Sequence, residues 1–412
     1  MQQANTNARS NLALPYKVAN IIGKLLVHAR LPVMRLDEQS VCAAAMKQTG
    51  LTDFGDPHYR QGLLRLLESA EKDANLHPLG RFMTRKMIVN YLIQRLLFVE
   101  KLKKEREIFQ LPLVPPLIIV GLARSGTTFL HNLLSIDPSH RAIPLWLLTR
   151  PFPEKPGKED KPDPRQVKME RAIRFRQPLH PGLDTIHYVR ADSPEECINV
   201  LGITFNSLIF PTLLPVSGYT DWYLQQSDTL QKYQEYRWLL QVFQSHEPER
   251  RLTLKAPAHT GNLEMLLQAV PNALVVQTHR NPVTCIKSAC NLLSTFHLSV
   301  AEEVNIPRMT GLILRLYESG LKRNMSFRSA NPGVIYDVFY ESLVSDPIET
   351  VRSIYRHFGL TWSNVLHTRL QKFVKENPKD KHGEHHYSAH EFGLADDEIA
   401  KQFQFYSEHF RL

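Results

Sequence analysis

The chain of 412 residues predicts an α/β fold: a central parallel sheet flanked by helices, with an N-terminal helical region and a helical cap insertion. Three observations carry this. Short apolar runs bounded by turn residues recur at 117–120, 251–255, 273–278 and 334–339, as strands buried on both faces require. Helical patterns separate them, and strands alternating with helices imply parallel pairing with right-handed crossovers. A glycine-rich turn, Gly121-Leu122-Ala123-Arg124-Ser125-Gly126, directly follows the first run.

Residues 1–110 read as a helical N-terminal region. Leu63, Leu64, Leu66 and Leu67 cluster within 59–70, and Ile88, Leu92, Leu96 and Val99 share one helical face of 85–109. From 111 the texture changes to a main domain, 111–412, that holds all four runs. Residues 151–165 hold five prolines and eight charges, which is surface loop. Residues 166–248 are mostly helical and too long for a simple crossover, so they read as an inserted cap on the acceptor side. Its aromatics are Tyr188, Phe205, Phe210, Trp222, Tyr223, Tyr236, Trp238 and Phe243. At helical spacing such residues are ordinarily core, and a few can line a pocket. A helix at 346–358 is punctuated by Asp346, Pro347, Glu349 and Gly359.

Composition excludes several classes. Apolar residues at 43% and charged residues at 22% rule out wholesale disorder and a fibrous rod. Cys42, Cys197, Cys285 and Cys290 form neither a disulfide framework nor a metal or redox spacing. The longest apolar runs fall short of the ~20 residues that cross a bilayer, so no transmembrane segment is expected. Residues 1–11 are polar and lack a secretory pattern, and a cytoplasmic location is expected. Fifty Lys and Arg against 41 Asp and Glu give a net charge of +9. That excess favours anionic partners. No basic run of about five to eight residues is present, so an anionic small ligand fits better than nucleic acid.

The turn after the first run is the most informative stretch. Strand, glycine turn and helix start together bind phosphate, because loop amides and the helix dipole favour an anion. The glycine spacing is that of a Walker A loop. Thr127 stands where a nucleotide triphosphatase places its lysine, which argues against ATP hydrolysis, and Arg124 offers a cation instead. The segment 119–134 resembles the 5′-phosphosulfate loop of the sulfotransferases that use 3′-phosphoadenosine 5′-phosphosulfate (PAPS). Arg124, Ser125, Gly126, Thr127 and Thr128 resemble the core of the bacterial branch in particular. The resemblance runs from Leu117 to Leu412 and implies the P-loop-like sulfotransferase fold.

It also implies roles for further residues. Arg280-Asn281-Pro282 ends the third run, and Ser288 lies within the helix that follows. Both Arg280 and Ser288 carry over as ligands of the donor 3′-phosphate, as does the C-terminal loop Lys381, His382 and Gly383. Lys255 and His259 resemble the family's Lys-x-His segment, with two extra residues between them. Transfer to an alcohol needs a base near neutral pH, which makes His259 the candidate. Lys255 would neutralise charge on the leaving phosphate, with Arg124 as a second catalytic cation. Asp192-Ser193-Pro194-Glu195-Glu196 reads first as a helix start, and Glu196 is the alternative base. His382, His385, His386 and His390 lack the spacing of a zinc site, and no metal is expected. The expected partner is a small-molecule hydroxyl acceptor. A P-loop small-molecule kinase and a non-catalytic nucleotide-binding protein are the alternatives.

Overall fold

The computed structural model describes residues 7–10, 12–29, 31–154, 161–179, 189–226, 230–377 and 392–412. Its strands are β1 (Asn7–Arg9), β2 (Leu117–Gly121), β3 (His140–Ala142), β4 (Arg251–Lys255), β5 (Leu274–His279), β6 (Glu303–Asn305) and β7 (Ile335–Phe339). Five of them form one parallel sheet in the order β3-β4-β2-β5-β7, and β1 pairs antiparallel with β6. The four apolar runs are therefore strands. β3 is an addition to the expected set. Three residues, His-Arg-Ala, at an edge that pairs only with β4, need no apolar run.

Burial on both sides explains the apolar strands. Ile118 and Val120 point into a core shared with Leu252, Leu254 and Val275. Leu117 and Ile119 point into a second core with Val276, Val338, Leu130 and Ile354. The two sets alternate along β2, as strand geometry demands.

Before the sheet come α1 (Leu14–His28), α2 (Glu38–Thr49), α3 (His58–Lys72) and α4 (Pro78–Lys104). Residues of α3 and α4 share one core with the sheet and with 197–243. Arg95 of α4 is fully buried and donates to both carboxylate oxygens of Glu235, at 3.1 and 3.2 Å, on α5 (Leu230–His246). The start of α4 is equally close-packed. A Cβ on Gly80 would lie 1.8 Å from the Val300 carbonyl oxygen. Backbone cannot yield as a side-chain tip does, so Gly80→Ala is expected to destabilise the fold by about 3 kcal/mol. Thermal and urea unfolding check this, and an unchanged midpoint contradicts it.

The helix expected at 346–358 is Pro347–His357. The Asp346 carboxylate caps it by accepting from the Glu349 amide at 2.9 Å, and Gly359 ends it at φ 64°. The sheet order places the first strand, β2, at its centre. From β2 the chain runs to the edge strand β3, returns to β4 beside β2, and then crosses to β5 and β7 on the other side. That reversal opens a crevice at the carboxyl end of β2, where open α/β sheets bind ligands.

Candidate active site

The loop after β2 occupies this crevice. Gly121, Arg124 and Gly126 all have positive φ, at 128°, 71° and 93°. Left-handed residues interleaved with ordinary ones make a concave row of amides suited to an anion. Gly121 is obligatory, since a Cβ there would sit 2.5 Å from the Thr278 carbonyl oxygen. The helix Thr127–Leu134 starts directly from Gly126. Ser125 is fully buried. Its hydroxyl donates to the Leu122 carbonyl at 2.6 Å and lies 2.6 Å from the Thr278 hydroxyl, while its amide donates to Leu122 at 3.2 Å. Ser125 thus shapes the loop, Thr127 is buried, and Thr128 is exposed.

Arg280 follows β5, where Asn281 caps the helix Pro282–Leu298 by accepting from the Val283 amide at 2.9 Å. The Arg280 guanidinium donates to the Arg124 carbonyl at 3.0 Å and lies 3.9 Å over the Tyr340 ring. Arg124 Nε in turn donates to the Ser288 hydroxyl at 3.0 Å. Arg124, Arg280 and Ser288 therefore form one connected group. Tyr340 is a member that sequence reasoning missed. Its ring supports Arg280 and lies where a Cβ on Gly126 would meet it at 3.0 Å. No local pattern marks such a role.

β4 brings the second group. Lys255 is buried, and its Nζ donates to Glu196 at 2.9 Å and lies 3.5 Å from Glu195. Burial opposes its charge, but the carboxylates of Glu196 and Glu195 outweigh that and hold Lys255 above its ordinary range. The Cys197 amide donates to the Lys255 carbonyl at 3.0 Å, which pins the acidic pair to the sheet edge just before the helix Ile198–Leu201. Tyr317 lies on the helix Ile306–Ala330. Burial pushes its hydroxyl well above the ordinary tyrosine range.

His259 lies behind the second group, joined to it through Cys197, whose thiol also donates to the Lys255 carbonyl at 3.4 Å. It is fully buried between the rings of Tyr233 and Tyr236, with centroids 5.5 and 5.3 Å away. Nδ1 contacts the Tyr233 hydroxyl at 2.9 Å and Nε2 the Cys197 thiol at 3.3 Å. Burial, aided by the charge of Lys232, lowers its pKa to about 3. Most of the cap aromatics are core as well: Phe205 stacks on Phe210 at 5.6 Å, and both are buried with Tyr236 and Phe243. Lys381, His382, Gly383 and Tyr188 lie outside the described residues.

The buried histidines make a prediction. Burial also lowers His131 and His297, each to about 4. All three are neutral when folded, whereas unfolded histidine binds a proton below about pH 6.5. The unfolded state then holds more protons, so stability falls with pH below that value, by roughly 1 kcal/mol per pH unit per histidine. Urea midpoints at about pH 7 and about pH 5 test this, and equal midpoints contradict it.

A central parallel sheet with an anion loop at its switch point defines the P-loop-like α/β class. The sulfotransferase family model matches residues 115–364, and the chain belongs to that family. It is 22% identical, over 69% of its length and 72% of theirs, to the omega-hydroxy-beta-dihydromenaquinone-9 sulfotransferases Stf3 of Mycobacterium bovis and Mycobacterium tuberculosis. The crystal structure of sulfotransferase STF1 from M. tuberculosis matches with a TM-score of 0.75 and 30% identity, over 89% of this chain and 98% of that one. Sulfotransferase STF9 from Mycobacterium avium matches in fold with a TM-score of 0.82 and 24% identity, over 91% and 97%.

Proposed function

We propose that the protein transfers the sulfonate group of PAPS to a hydroxyl of a small-molecule acceptor. The observation that supports this most is the connected group of Arg280, Arg124 and Ser288, which links the loop after β2 to a second cationic site on β5. A donor with phosphates at both ends needs two such sites held at fixed separation. The loop receives the 5′-phosphosulfate, with Arg124 and Thr128 beside it. Arg280 and Ser288 receive the 3′-phosphate, with Lys381, His382 and Gly383 as its further expected ligands.

The acceptor oxygen attacks sulfur in line, the bond from sulfur to the bridging phosphate oxygen breaks, and the acceptor proton passes to a base. We assign that base to Glu196 in preference to His259. Glu196 lies at the sheet edge beside Lys255 with its side chain 29% exposed, whereas both nitrogens of His259 are engaged within the protein. Lys255 then holds Glu196 in place, and Arg124 carries the neutralisation of the leaving 5′-phosphate. Positioning and charge stabilisation supply most of the catalysis.

Calorimetric titration with 3′,5′-adenosine bisphosphate, the product the donor leaves behind, tests the donor class alongside ATP with magnesium. Binding of the bisphosphate is expected. Binding of ATP with magnesium in its place would overturn the reading in favour of a kinase.

A further inference from the structure

The helix α1 is turned inside out. Leu14, Val18, Ile21, Ile22 and Leu25 fall at the spacing of one helical face, and all five are exposed, from 48% for Val18 to 74% for Leu14. The opposite face, with Tyr16, Asn20, Gly23 and Val27, is the one turned to the protein. Gly23 is the buried residue of the helix, and a Cβ on it would lie 2.5 Å from Pro78. Asn20 accepts from the Leu79 amide at 2.8 Å. A soluble helix ordinarily buries its apolar stripe, and a continuous exposed stripe marks a contact surface.

The packed face of α1, not the stripe, reaches the cap. Tyr16 donates its hydroxyl to the Phe175 carbonyl at 3.1 Å, and the two rings meet edge-on at 5.9 Å. Phe175 is itself 48% exposed, and Arg171, one turn earlier on the helix Pro164–Arg176, is exposed on the same face. Charge then selects the partner. Residues 14–28 contain Lys17 and Lys24 and no Asp or Glu, while Arg35 further on is taken up by Asp37 at 2.8 Å. Lys17 and Lys24 are exposed on α1, the latter within 3.9 Å of Glu302 at the rim. A symmetric pairing of two copies would set these cations against themselves. An anionic bilayer complements both the apolar stripe and its basic border.

We infer that α1, with Phe175, is an interfacial helix that seats the protein on an anionic lipid surface. Its apolar face enters the headgroup boundary, and its cations meet lipid phosphates. Among the described residues no helix is long and apolar enough to span a membrane, so the chain lies on the surface through this face. The use of the docking, to bring the active site to a lipid-borne hydroxyl acceptor, rests on the sulfonate-transfer reading; the docking does not.

Co-sedimentation of the full chain with vesicles of phosphatidylcholine and phosphatidylglycerol tests it. The protein is expected to partition onto these vesicles, less so onto phosphatidylcholine alone, and less again at high salt. The double variant Ile21→Glu/Leu25→Glu is expected to lower the partition at least about tenfold, with the melting temperature unchanged. Val18→Glu, in the other half of the stripe, gives an independent second reading. Protein that stays in the supernatant, or variants that both partition like the parent, would overturn the inference. So would a lipid-free dimer that the substitutions dissociate, since a second copy would then cover the stripe. The readout needs neither donor nor acceptor, so a failure here and a failure of the bisphosphate titration are read separately.

Discussion

Replacing Arg280 with alanine is expected to weaken binding of 3′,5′-adenosine bisphosphate by about 100-fold or more. The side chain has two tasks at once. Its charge faces the 3′-phosphate in the proposed complex, and one of its nitrogens holds the Arg124 carbonyl at 3.0 Å. Charge-assisted hydrogen bonds are the strong ones, and removal of one partner leaves the other unsatisfied. Arg280→Lys separates the tasks. Lysine keeps the charge but not the flat guanidinium that lies on Tyr340 at 3.9 Å while it reaches the loop. Partial recovery of affinity in the lysine variant is expected by calorimetry, because the charge survives and the support of the loop does not. Bisphosphate affinity equal to the parent in Arg280→Ala would remove Arg280 from the site.

The fold was legible where the signal is local. β2, its glycine turn and the helix start lie within a short stretch of chain, and strand burial on both faces writes an apolar run into each central strand. The helix after β5 was legible for the same reason, since Asn281 and Pro282 start it in consecutive positions. β3 was not, because an edge strand of three residues carries no period. The pairing of Lys255 with Glu196 spans 59 positions, and no local pattern announces it. His259 shows the limit most plainly. Its residue type and its place after a strand both suit a base, but the tyrosines that enclose it come from α5, the helix before β4, and no pattern in the chain shows that they close on it. The period of α1 is likewise present in the chain. A period states which residues share a face, and only the packing of Gly23 and Asn20 shows which way that face turns.

Glu196→Gln is expected to lower turnover by about 100-fold to 10,000-fold while binding of the bisphosphate stays within about twofold. Glutamine keeps the size and one oxygen for Lys255, yet it cannot accept the acceptor proton at neutral pH. His259→Asn is the partner experiment. Asparagine can keep polar contacts toward Tyr233 and Cys197 but has no imidazole. If Glu196 is the base, His259→Asn chiefly loosens the packing behind Cys197. The effect then shows as a lower melting temperature with turnover reduced much less than in Glu196→Gln. If His259 is the base, the order reverses: His259→Asn abolishes turnover and Glu196→Gln retains most of it. Rates measured at saturating donor, with calorimetry on the same preparations, separate chemistry from donor binding. The structure gives the first order its physical ground. A proton acceptor must reach the substrate oxygen directly or through one water. The carboxylate of Glu196 lies at the open edge of the sheet, and the imidazole of His259 is closed in by two tyrosines and a thiol.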